Sequence, residues 1–437
     1  MPAIYHWALA SRIEQSVALA DNPFITRSNF GPRLRAVRSL GDPGFHGTYG
    51  TMGNVKEWCA NDDAGGKRFI LGGGCGEPIY APTILDSSTP LRRDETFGFR
   101  CVKFLNDTKG PAAAWDTAES IPWPVPPKRA ELLDDATFRL VVRDRYAYDR
   151  AAPLDAAVEQ ADEGEWVHVT ARINAAYRDA KGRWERFAVH LFLPKGVDAR
   201  TGYQAVVYCP GGDGFMLPRV RPLAEEYGLD TLVRAGRAVV LPVYQGTYER
   251  RHAFEVDDDR VEEDRQICFC QDLMRSVDYL QQRGDIDMGR LGYYGFSFGA
   301  TVGGSFLALE PRFRAAVFEA GGLSIYPLRK DRALLEWRHH LPQLRLPVLM
   351  LNGRADPVFA VEESQVPMFA LLGSPVKEHY VHPDGHHMLP PGVKFEHTIR
   401  WFDRHLGVVA RPPGTRGPRR PGRVTTAARR ACRQEPQ

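Results

Sequence analysis

The hydrophobic pattern of the chain changes character near residue 107. Residues 1–106 are rich in glycine and turn residues, with short strand-like pieces such as Phe69-Ile70-Leu71. Beyond residue 136, continuous apolar runs alternate with segments whose apolar residues recur at helical spacing. That alternation is typical of a mostly parallel sheet with helices on both faces. The larger part of the chain is therefore predicted to be α/β, preceded by a small irregular α+β module.

Individual elements follow from the same pattern. Residues 166–177 and 186–193 alternate apolar and polar positions and predict an antiparallel hairpin. Apolar spacings of three and four predict helices over residues 267–280 and 395–406. The continuous apolar runs predict buried parallel strands at residues 205–208, 238–241, 291–294, 315–318 and 348–351.

Proline and arginine mark the predicted domain boundaries. The segment 107–135 includes Ile121-Pro122-Trp123-Pro124-Val125-Pro126-Pro127, and such repeated prolines favour an extended linker. Residues 408–437 combine proline, glycine and arginine, a composition that cannot bury a core and predicts a disordered basic tail. The predicted organisation is a module at 1–106, a linker at 107–135, a main domain at 136–407 and this tail.

Charge and cysteine usage exclude several function classes. The net charge is +3, but the tail alone holds eight arginines against one acid, so the rest of the chain is slightly negative. A body without clustered basic residues predicts no nucleic-acid partner. The seven cysteines form no CxxC pair, so neither a disulfide framework nor a zinc site is indicated. No cofactor is expected. No signal-peptide pattern or long apolar run occurs, which predicts a cytoplasmic protein without a membrane partner.

A GxSxG pentapeptide carries the strongest chemical signal. Gly295-Phe296-Ser297-Phe298-Gly299 lies directly after a predicted strand and before a small-residue segment that predicts a helix. This context is that of a nucleophile elbow, in which a strained serine is exposed at a strand-to-helix turn. Ser297 is therefore the predicted nucleophile.

An acid and a base follow the serine in the order this fold requires. Asp356 lies in the loop after the predicted strand 347–351, and His386 follows a predicted strand at 377–381. His386 is preferred as the base because the preceding glycine lets the loop turn inward, but spacing alone leaves its neighbour His387 open. Asp384 and His382 are lesser candidates. A histidine would deprotonate the serine, and an aspartate would hold the histidine tautomer.

Glycine-containing loops are expected to supply the oxyanion donors and the substrate contacts. The backbone N–H of Phe298 and one from Gly212 or Asp213, in the loop after strand 205–208, are the predicted oxyanion donors. Tyr244, Thr247 and Tyr248 follow another strand end and are candidate substrate contacts, although structural packing of the tyrosines is an equal alternative.

With these motifs, residues 136–407 resemble the α/β hydrolases of the dienelactone hydrolase, acetyl xylan esterase and prolyl oligopeptidase branch. The resemblance implies the α/β-hydrolase fold and hydrolysis of an ester, a thioester or a peptide through an acyl-enzyme. It does not select among these substrates.

The N-terminal segment resembles the C-terminal part of the formylglycine-generating enzymes, or sulfatase-modifying factor domains. Thr51-Met52-Gly53-Asn54-Val55-Lys56-Glu57-Trp58, Gly72-Gly73-Gly74 and Gly98-Phe99-Arg100-Cys101 carry the resemblance. It implies a calcium position at Glu57. The copper-binding cysteine pair of that family is absent, since only Cys75 lies near it, so oxidase activity is not expected. The start of such a domain is missing, which predicts either a fragment of a longer protein or a misassigned gene start. The resemblance extends to longer bacterial proteins in which a serine/threonine kinase domain precedes the same two modules, so a kinase-type domain upstream is one expectation.

Two functions follow from these observations. The first is a serine hydrolase acting on a small-molecule ester or thioester through Ser297, Asp356 and His386. The alternative is a non-catalytic pair of ligand-binding or sensing modules within a larger signalling protein.

Overall fold

The computed structural model describes residues 1–11, 28–37, 47–62, 66–102, 132–179, 181–197, 202–251, 259–323 and 337–409. Within these residues the chain forms two separate sheets, one of four strands and one of nine. The predicted linker lies outside the described residues except for 132–135, and the predicted tail lies outside them except for 408 and 409.

The smaller sheet belongs to the N-terminal module, the name used here for the described residues up to 102. Its strands are β1 (Lys56–Asp62), β2 (Arg68–Leu71), β3 (Ser87–Ser88) and β4 (Phe97–Phe99), in the order β3-β2-β1-β4. Helix α1 (Ile4–Ser11) packs on this sheet. Buried apolar residues from the helix and sheet form a separate core: Ile4, Trp7, Met52, Cys59, Phe69 and Leu71.

The carboxylate of Glu57, the implied calcium ligand, is engaged by an arginine. Arg100 donates from Nε to one carboxylate oxygen at 3.0 Å and from Nη2 to the other at 2.7 Å. Across the described ranges, no group of three or more His, Cys, Asp or Glu side chains is arranged to hold a metal ion. In this structure Glu57 therefore forms an ion pair with Arg100, and calcium binding at this position stays a prediction.

The larger sheet defines the main domain. Its strands are β5 (Ala157–Asp162), β6 (Trp166–Arg178), β7 (Trp184–Pro194), β8 (Tyr203–Cys209), β9 (Ala238–Pro242), β10 (Ile286–Phe296), β11 (Ala315–Glu319), β12 (Val348–Gly353) and β13 (Lys377–His382). They lie in the order β13-β12-β11-β10-β8-β9-β7-β6-β5. The six strands from β13 to β9 are parallel, and β7, β6 and β5 complete the sheet in antiparallel pairing. Each predicted parallel strand and the predicted hairpin is present, whereas the exposed edge strand β5 was not predicted.

Helices cover both faces of this sheet. They are α2 (Asp135–Thr137), α3 (Asp230–Arg234), α4 (Asp259–Arg283), α5 (Phe298–Leu309), α6 (Val366–Leu371) and α7 (Pro391–Leu406). Short 3₁₀ and π segments occur between them, notably Gly212–Phe215 and Phe138–Val142. None of the described helices has the length and apolar character needed to cross a membrane.

Two buried apolar clusters, one on each face of the sheet, form the core of the main domain. Strands β8 and β9 are apolar on both faces because both are covered. Helix α5 approaches the sheet closely at Gly303, where an added Cβ would lie 2.6 Å from the Phe318 ring. A bulkier residue there would push the helix away from the strands.

The strand order reverses beside β8. Strand β8 pairs with β9 on one side and with β10 on the other, so the connections leave it in opposite directions. Ligand crevices in open α/β sheets form at the carboxyl ends of strands at such a reversal. The loop after β8 and the GxSxG turn after β10 both lie there.

Candidate active site

Ser297 occupies a strained turn between β10 and α5. Its backbone has φ +52° and ψ −108°, a conformation that costs on the order of 1–3 kcal/mol for a residue with a side chain. Its amide donates to the Glu319 carbonyl at 2.8 Å, which ties the turn to β11. The Ser297 hydroxyl does not cap α5. The hydroxyl is therefore held at the strand end and available to another partner.

The glycines of the pentapeptide allow this turn to form. A Cβ on Gly295 would lie 2.4 Å from the Gly299 carbonyl oxygen, and one on Gly299 would lie 2.2 Å from the Cys209 carbonyl oxygen. Both distances are far below contact, so any larger residue would displace the backbone. This is the physical reason that the strand, turn and helix require glycine at both positions.

His387 joins the serine to the aspartate. Its Nε2 lies 2.8 Å from Ser297 Oγ, and its Nδ1 lies 3.0 Å from each carboxylate oxygen of Asp356. A carboxylate accepts hydrogen bonds, so this contact favours the tautomer with a proton on Nδ1 and a free lone pair on Nε2. The lone pair is then directed at the hydroxyl proton of Ser297.

Asp356 is fixed by its own loop. Its Oδ1 accepts from the amides of Val358 at 2.8 Å and Phe359 at 3.1 Å, and its side chain is fully buried. Backbone donors of this kind stabilise a buried carboxylate. The predicted acid is thus brought to the site as expected.

The predicted base, His386, is not brought to Ser297. Its side chain faces the N-terminal module, where its ring meets Phe97 edge-on with centroids 6.1 Å apart and its Nδ1 lies 3.9 Å from Asp86 Oδ2. Burial, followed by the charges of Lys56 and Arg92, lowers the pKa of His386 to about 4. His387 takes the place expected of His386.

The loop backbone explains this one-residue difference. The carbonyls of Gly385 and His386 press against Gly353 at the end of β12, and the Ala355 amide donates to the Gly385 carbonyl at 2.8 Å. The loop is therefore anchored at residues 385 and 386, and the next side chain is directed at the serine. The side chain that faces Ser297 is therefore that of His387, one position after the residue expected from the sequence.

The two lesser candidates stay at the rim of the site. Asp384 is exposed, and its amide donates to His382 Nδ1 at 3.2 Å. In the described part of the chain, neither side chain hydrogen-bonds to Ser297 or His387.

The predicted oxyanion donors begin two short helices beside Ser297. Phe298 is the first residue of α5, and Gly212 is the first residue of the 3₁₀ turn Gly212–Phe215. Amides in the first turn of a helix have no acceptor within that helix. The Gly299 amide bonds to the Pro210 carbonyl at 3.0 Å, which holds the two turns together.

The side chain of Asp213 has a structural role. Its Oδ2 accepts from Tyr227 Oη at 2.6 Å and from Arg221 Nη2 at 3.1 Å, and the residue is fully buried. Arg221 also contacts Glu226 at 3.0 Å, and Tyr248 donates to the same glutamate at 2.9 Å. This buried network fixes the loop that presents the Gly212 and Asp213 amides.

The candidate substrate contacts Tyr244, Thr247 and Tyr248 are packing residues. All three are fully buried. Tyr244 donates to the Tyr208 carbonyl at 3.0 Å, and Thr247 donates to the Tyr244 carbonyl at 2.9 Å. The segment does reach the site, but it does so through the intervening residues Gln245 and Gly246, which line a cavity.

That cavity lies beside the predicted oxyanion donors. It has a volume of about 300 Å³ and is walled mainly by apolar side chains: Phe215, Phe269, Phe298, Val302, Phe306 and Trp337. Phe298, Val302 and Phe306 recur every four residues and so share one face of α5. Its polar lining residues are Gln245, Arg265 and Gln266. Gly212 also lines it, so the cavity extends from the oxyanion side of the serine.

One residue at the site was not predicted from the sequence. Tyr80 of the N-terminal module has its hydroxyl 2.9 Å from Ser297 Oγ and 2.9 Å from His387 Nε2. Burial, with the nearby charge of Asp213, raises the pKa of Tyr80 well above its usual value, so the phenol is neutral. No local motif marks Tyr80, because its partners lie 217 and 307 residues away.

Comparison with known proteins supports the fold. The model of the prolyl oligopeptidase family matches residues 226–344. The acetyl xylan esterase from Paenibacillus sp. R4 has a TM-score of 0.51 at 16% identity, covering 63% of this chain and 97% of that chain. Acetyl xylan esterase 1 from Thermoanaerobacterium sp. JW/SL YS485 has a TM-score of 0.50 at 16% identity, covering 63% and 94%. No curated protein matches the chain.

The main domain therefore has the α/β-hydrolase fold. The family match spans α4, β10 with its GxSxG turn, and α5. At 16% identity the two esterases establish the architecture and leave the reaction to be argued from the site. The likeness of the N-terminal module to sulfatase-modifying factors stays a prediction.

Proposed function

We propose that the protein is a serine hydrolase that cleaves a carboxylic ester or thioester, with Ser297 as nucleophile, His387 as general base and Asp356 as the residue that orients the histidine. The observation that carries the proposal is the unbroken series of hydrogen bonds from Ser297 Oγ through His387 to Asp356. His386, the base expected from the sequence, is replaced in this proposal by its neighbour.

The reaction follows from this arrangement. His387 Nε2 removes the hydroxyl proton as Ser297 attacks the ester carbonyl, and Asp356 stabilises the resulting imidazolium. The carbonyl oxygen gains negative charge, and the amides of Phe298 and of Gly212 or Asp213 donate hydrogen bonds to it. His387 then protonates the leaving group, and water hydrolyses the acyl-enzyme by the reverse sequence of proton transfers.

The apolar lining of the cavity favours a substrate with an apolar acyl group. It begins beside the same two residues that supply the oxyanion amides, so an acyl chain attached to the reacting carbonyl extends into it. Its volume of about 300 Å³ lies at the lower end of the range of small-molecule sites. A small aliphatic or aromatic acyl group is therefore the proposed substrate class.

Turnover of p-nitrophenyl esters tests the proposal on the full chain. We expect hydrolysis of short-chain esters by the parent protein and its loss in Ser297→Ala. Ser305→Ala is the matched control, since Ser305 lies two turns further along α5 and is fully buried. Loss of activity in both variants, or its persistence in Ser297→Ala, would contradict the assignment.

The alternative of a ligand-binding pair predicts a different result. A ligand that raises the melting temperature equally in the parent protein and in Ser297→Ala, without turnover of any ester, would favour it. The serine-hydrolase proposal is preferred because the main domain holds a hydrogen-bonded set of reacting groups.

A further inference from the structure

The N-terminal module inserts one side chain into the proposed catalytic centre. The Tyr80 hydroxyl donates to Ser297 Oγ at 2.9 Å and lies at the same distance from His387 Nε2. Its ring meets the His387 ring edge-on, with centroids 6.0 Å apart. The three side chains are almost completely buried together.

The position of the phenol oxygen indicates which part of the substrate it would displace. In acyl transfer the leaving-group atom is bonded to the carbon that Ser297 Oγ attacks, and it takes its proton from His387 Nε2. That atom must therefore lie near both groups, which is where Tyr80 Oη lies. The oxyanion forms on the other side, toward the amides of Phe298 and Gly212. Tyr80 thus occupies the leaving-group side and leaves the acyl cavity free.

The ring of Tyr80 packs against the loop that follows β8. A Cβ placed on Gly212 would contact the ring at 3.4 Å, so the aromatic face lies against the loop that carries the oxyanion donor. The cavity beside Gly212 and Phe298 is lined by neither Ser297 nor His387. The ring therefore packs on the loop that carries a proposed oxyanion donor and is not part of the cavity wall.

Prolines and local hydrogen bonds constrain the loop that carries Tyr80. Pro78 and Pro82 flank it, and the 3₁₀ turn Ala81–Thr83 follows directly. Thr83 donates from its amide and its hydroxyl to the Tyr80 carbonyl, at 3.0 and 2.7 Å. With the backbone fixed in this way, substrate entry requires rotation of the side chain or displacement of the whole module.

Further contacts hold the module against the histidine loop. Arg92 Nη2 donates to the Asp384 carbonyl at 2.9 Å, and Phe97 packs against His386. Lys56 is buried near the same histidine, paired with Asp86 and with Glu77. The closed arrangement therefore depends on a surface that extends well beyond Tyr80.

We propose that this structure is a self-inhibited form of the hydrolase, in which Tyr80 blocks the leaving-group position and the N-terminal module acts as the cover. The proposal rests on the proposed function of Ser297. Displacing the module opens the leaving-group side, while the acyl cavity is already formed. Activity then scales with the fraction of molecules in the open form.

Rates of fluorophosphonate labelling of Ser297 in the full chain test the proposal, with turnover of p-nitrophenyl acetate as a second readout. We expect Tyr80→Ala to raise both rates by roughly tenfold or more, since closure lowers the competent fraction. Tyr80→Phe keeps the ring but loses both hydrogen bonds, so its rates should lie between those of the parent protein and Tyr80→Ala. Tyr80 is absent from the core of the module, so Tyr80→Ala should fold, which a thermal melt checks.

A variant outside the catalytic centre distinguishes inhibition by the whole module from an effect of the Tyr80 side chain alone. Arg92→Ala removes a contact to the histidine loop and should also raise the rates, whereas Arg93→Ala, at the exposed neighbouring position, should leave them unchanged. Rates in Tyr80→Ala equal to those of the parent would overturn the proposal and leave the hydrolase intact. Slower rates in both Tyr80 variants would overturn it in favour of a catalytic phenol. Absence of labelling in every variant would instead refute the proposed function.

Discussion

The phenol oxygen of Tyr80 lies 2.9 Å from the hydroxyl oxygen of Ser297, although 217 residues separate them in the chain. The contact joins the N-terminal module to the loop of the main domain that carries the candidate nucleophile. Among the residues that the structure describes, the Ser297 hydroxyl therefore has two hydrogen-bonding neighbours, His387 from its own domain and Tyr80 from the module. In the proposed function the first neighbour activates the serine, and in the proposed self-inhibition the second blocks the leaving-group position.

The two adjacent histidines provide the sharpest test of the site geometry. His387→Asn should reduce kcat/KM for a p-nitrophenyl ester by about 10³-fold or more, because Ser297 loses its base. His386→Asn should keep or exceed the parent rate, since His386 does not contact Ser297 and its packing against Phe97 helps to hold the module in place. Steady-state kinetics of the two variants provide the measurement. A severe loss in His386→Asn with activity retained in His387→Asn would restore the assignment made from the sequence.

The acid can be tested in the same way. Asp356→Asn should lower kcat on the order of 10⁴-fold, because an amide no longer selects the histidine tautomer that accepts the serine proton. Asp384→Asn, in the next loop, is the matched control and should be near neutral, since that side chain is exposed. Comparable kcat values for the two variants would show that Asp356 does not orient His387.

Most of the fold could be predicted from the sequence because buried parallel strands leave a simple signal. The apolar runs at β8, β9 and β10 require burial on both faces. The GxSxG turn also leaves a local signal, because a side chain at either glycine would collide with neighbouring backbone atoms. Strand β5 gave no such signal, because all six of its residues are exposed.

The details of the site depended on contacts that no local pattern encodes. His386 and His387 are adjacent, and only the packing of Gly385 against Gly353 decides which of them faces the serine. Tyr244 and Tyr248 lie at the expected strand end, yet their hydroxyls are directed into the interior by Tyr208 and Glu226. Tyr80 reaches the site from another module, a relationship visible only in three dimensions.

The acyl cavity predicts how chain-length preference responds to mutation. Val302→Phe adds a ring to the wall of the cavity formed by α5 and should lower kcat/KM for a p-nitrophenyl octanoate relative to the acetate by roughly 10- to 100-fold. Val302→Ala should shift the ratio in the opposite direction. Each ratio is measured within one variant, so differences in folded fraction cancel. An unchanged ratio in both variants would place the acyl group elsewhere.

The buried His386 predicts an acid-sensitive contribution to stability. Its pKa is lowered to about 4 in the folded protein and returns to near 6.5 on unfolding, so the unfolded chain binds the extra proton between these values. Stability from this group is complete above pH 6.5 and declines as the pH falls toward 4. Between pH 7.5 and 5.0 the decline should be about 2 kcal/mol.

Chemical denaturation at the two pH values measures this effect. His386→Asn should lose less stability on acidification than the parent protein, by up to the same amount. Other histidines with lowered pKa, such as His190 and His379, contribute equally to both proteins and cancel in the difference. Equal losses in parent and variant would show that His386 is not held uncharged against the module.

The central claim is that His387 and Asp356 make Ser297 a nucleophile, and mass spectrometry of the fluorophosphonate-treated protein tests it most directly. Tyr80→Ala should acquire one adduct, on the peptide that contains Ser297. The adduct should be absent when Ser297→Ala is added and strongly reduced when His387→Asn is added, while the addition of Ser305→Ala leaves it intact. A folded Tyr80→Ala protein whose Ser297 stays unmodified, or one that is labelled equally fast without His387, would contradict the account.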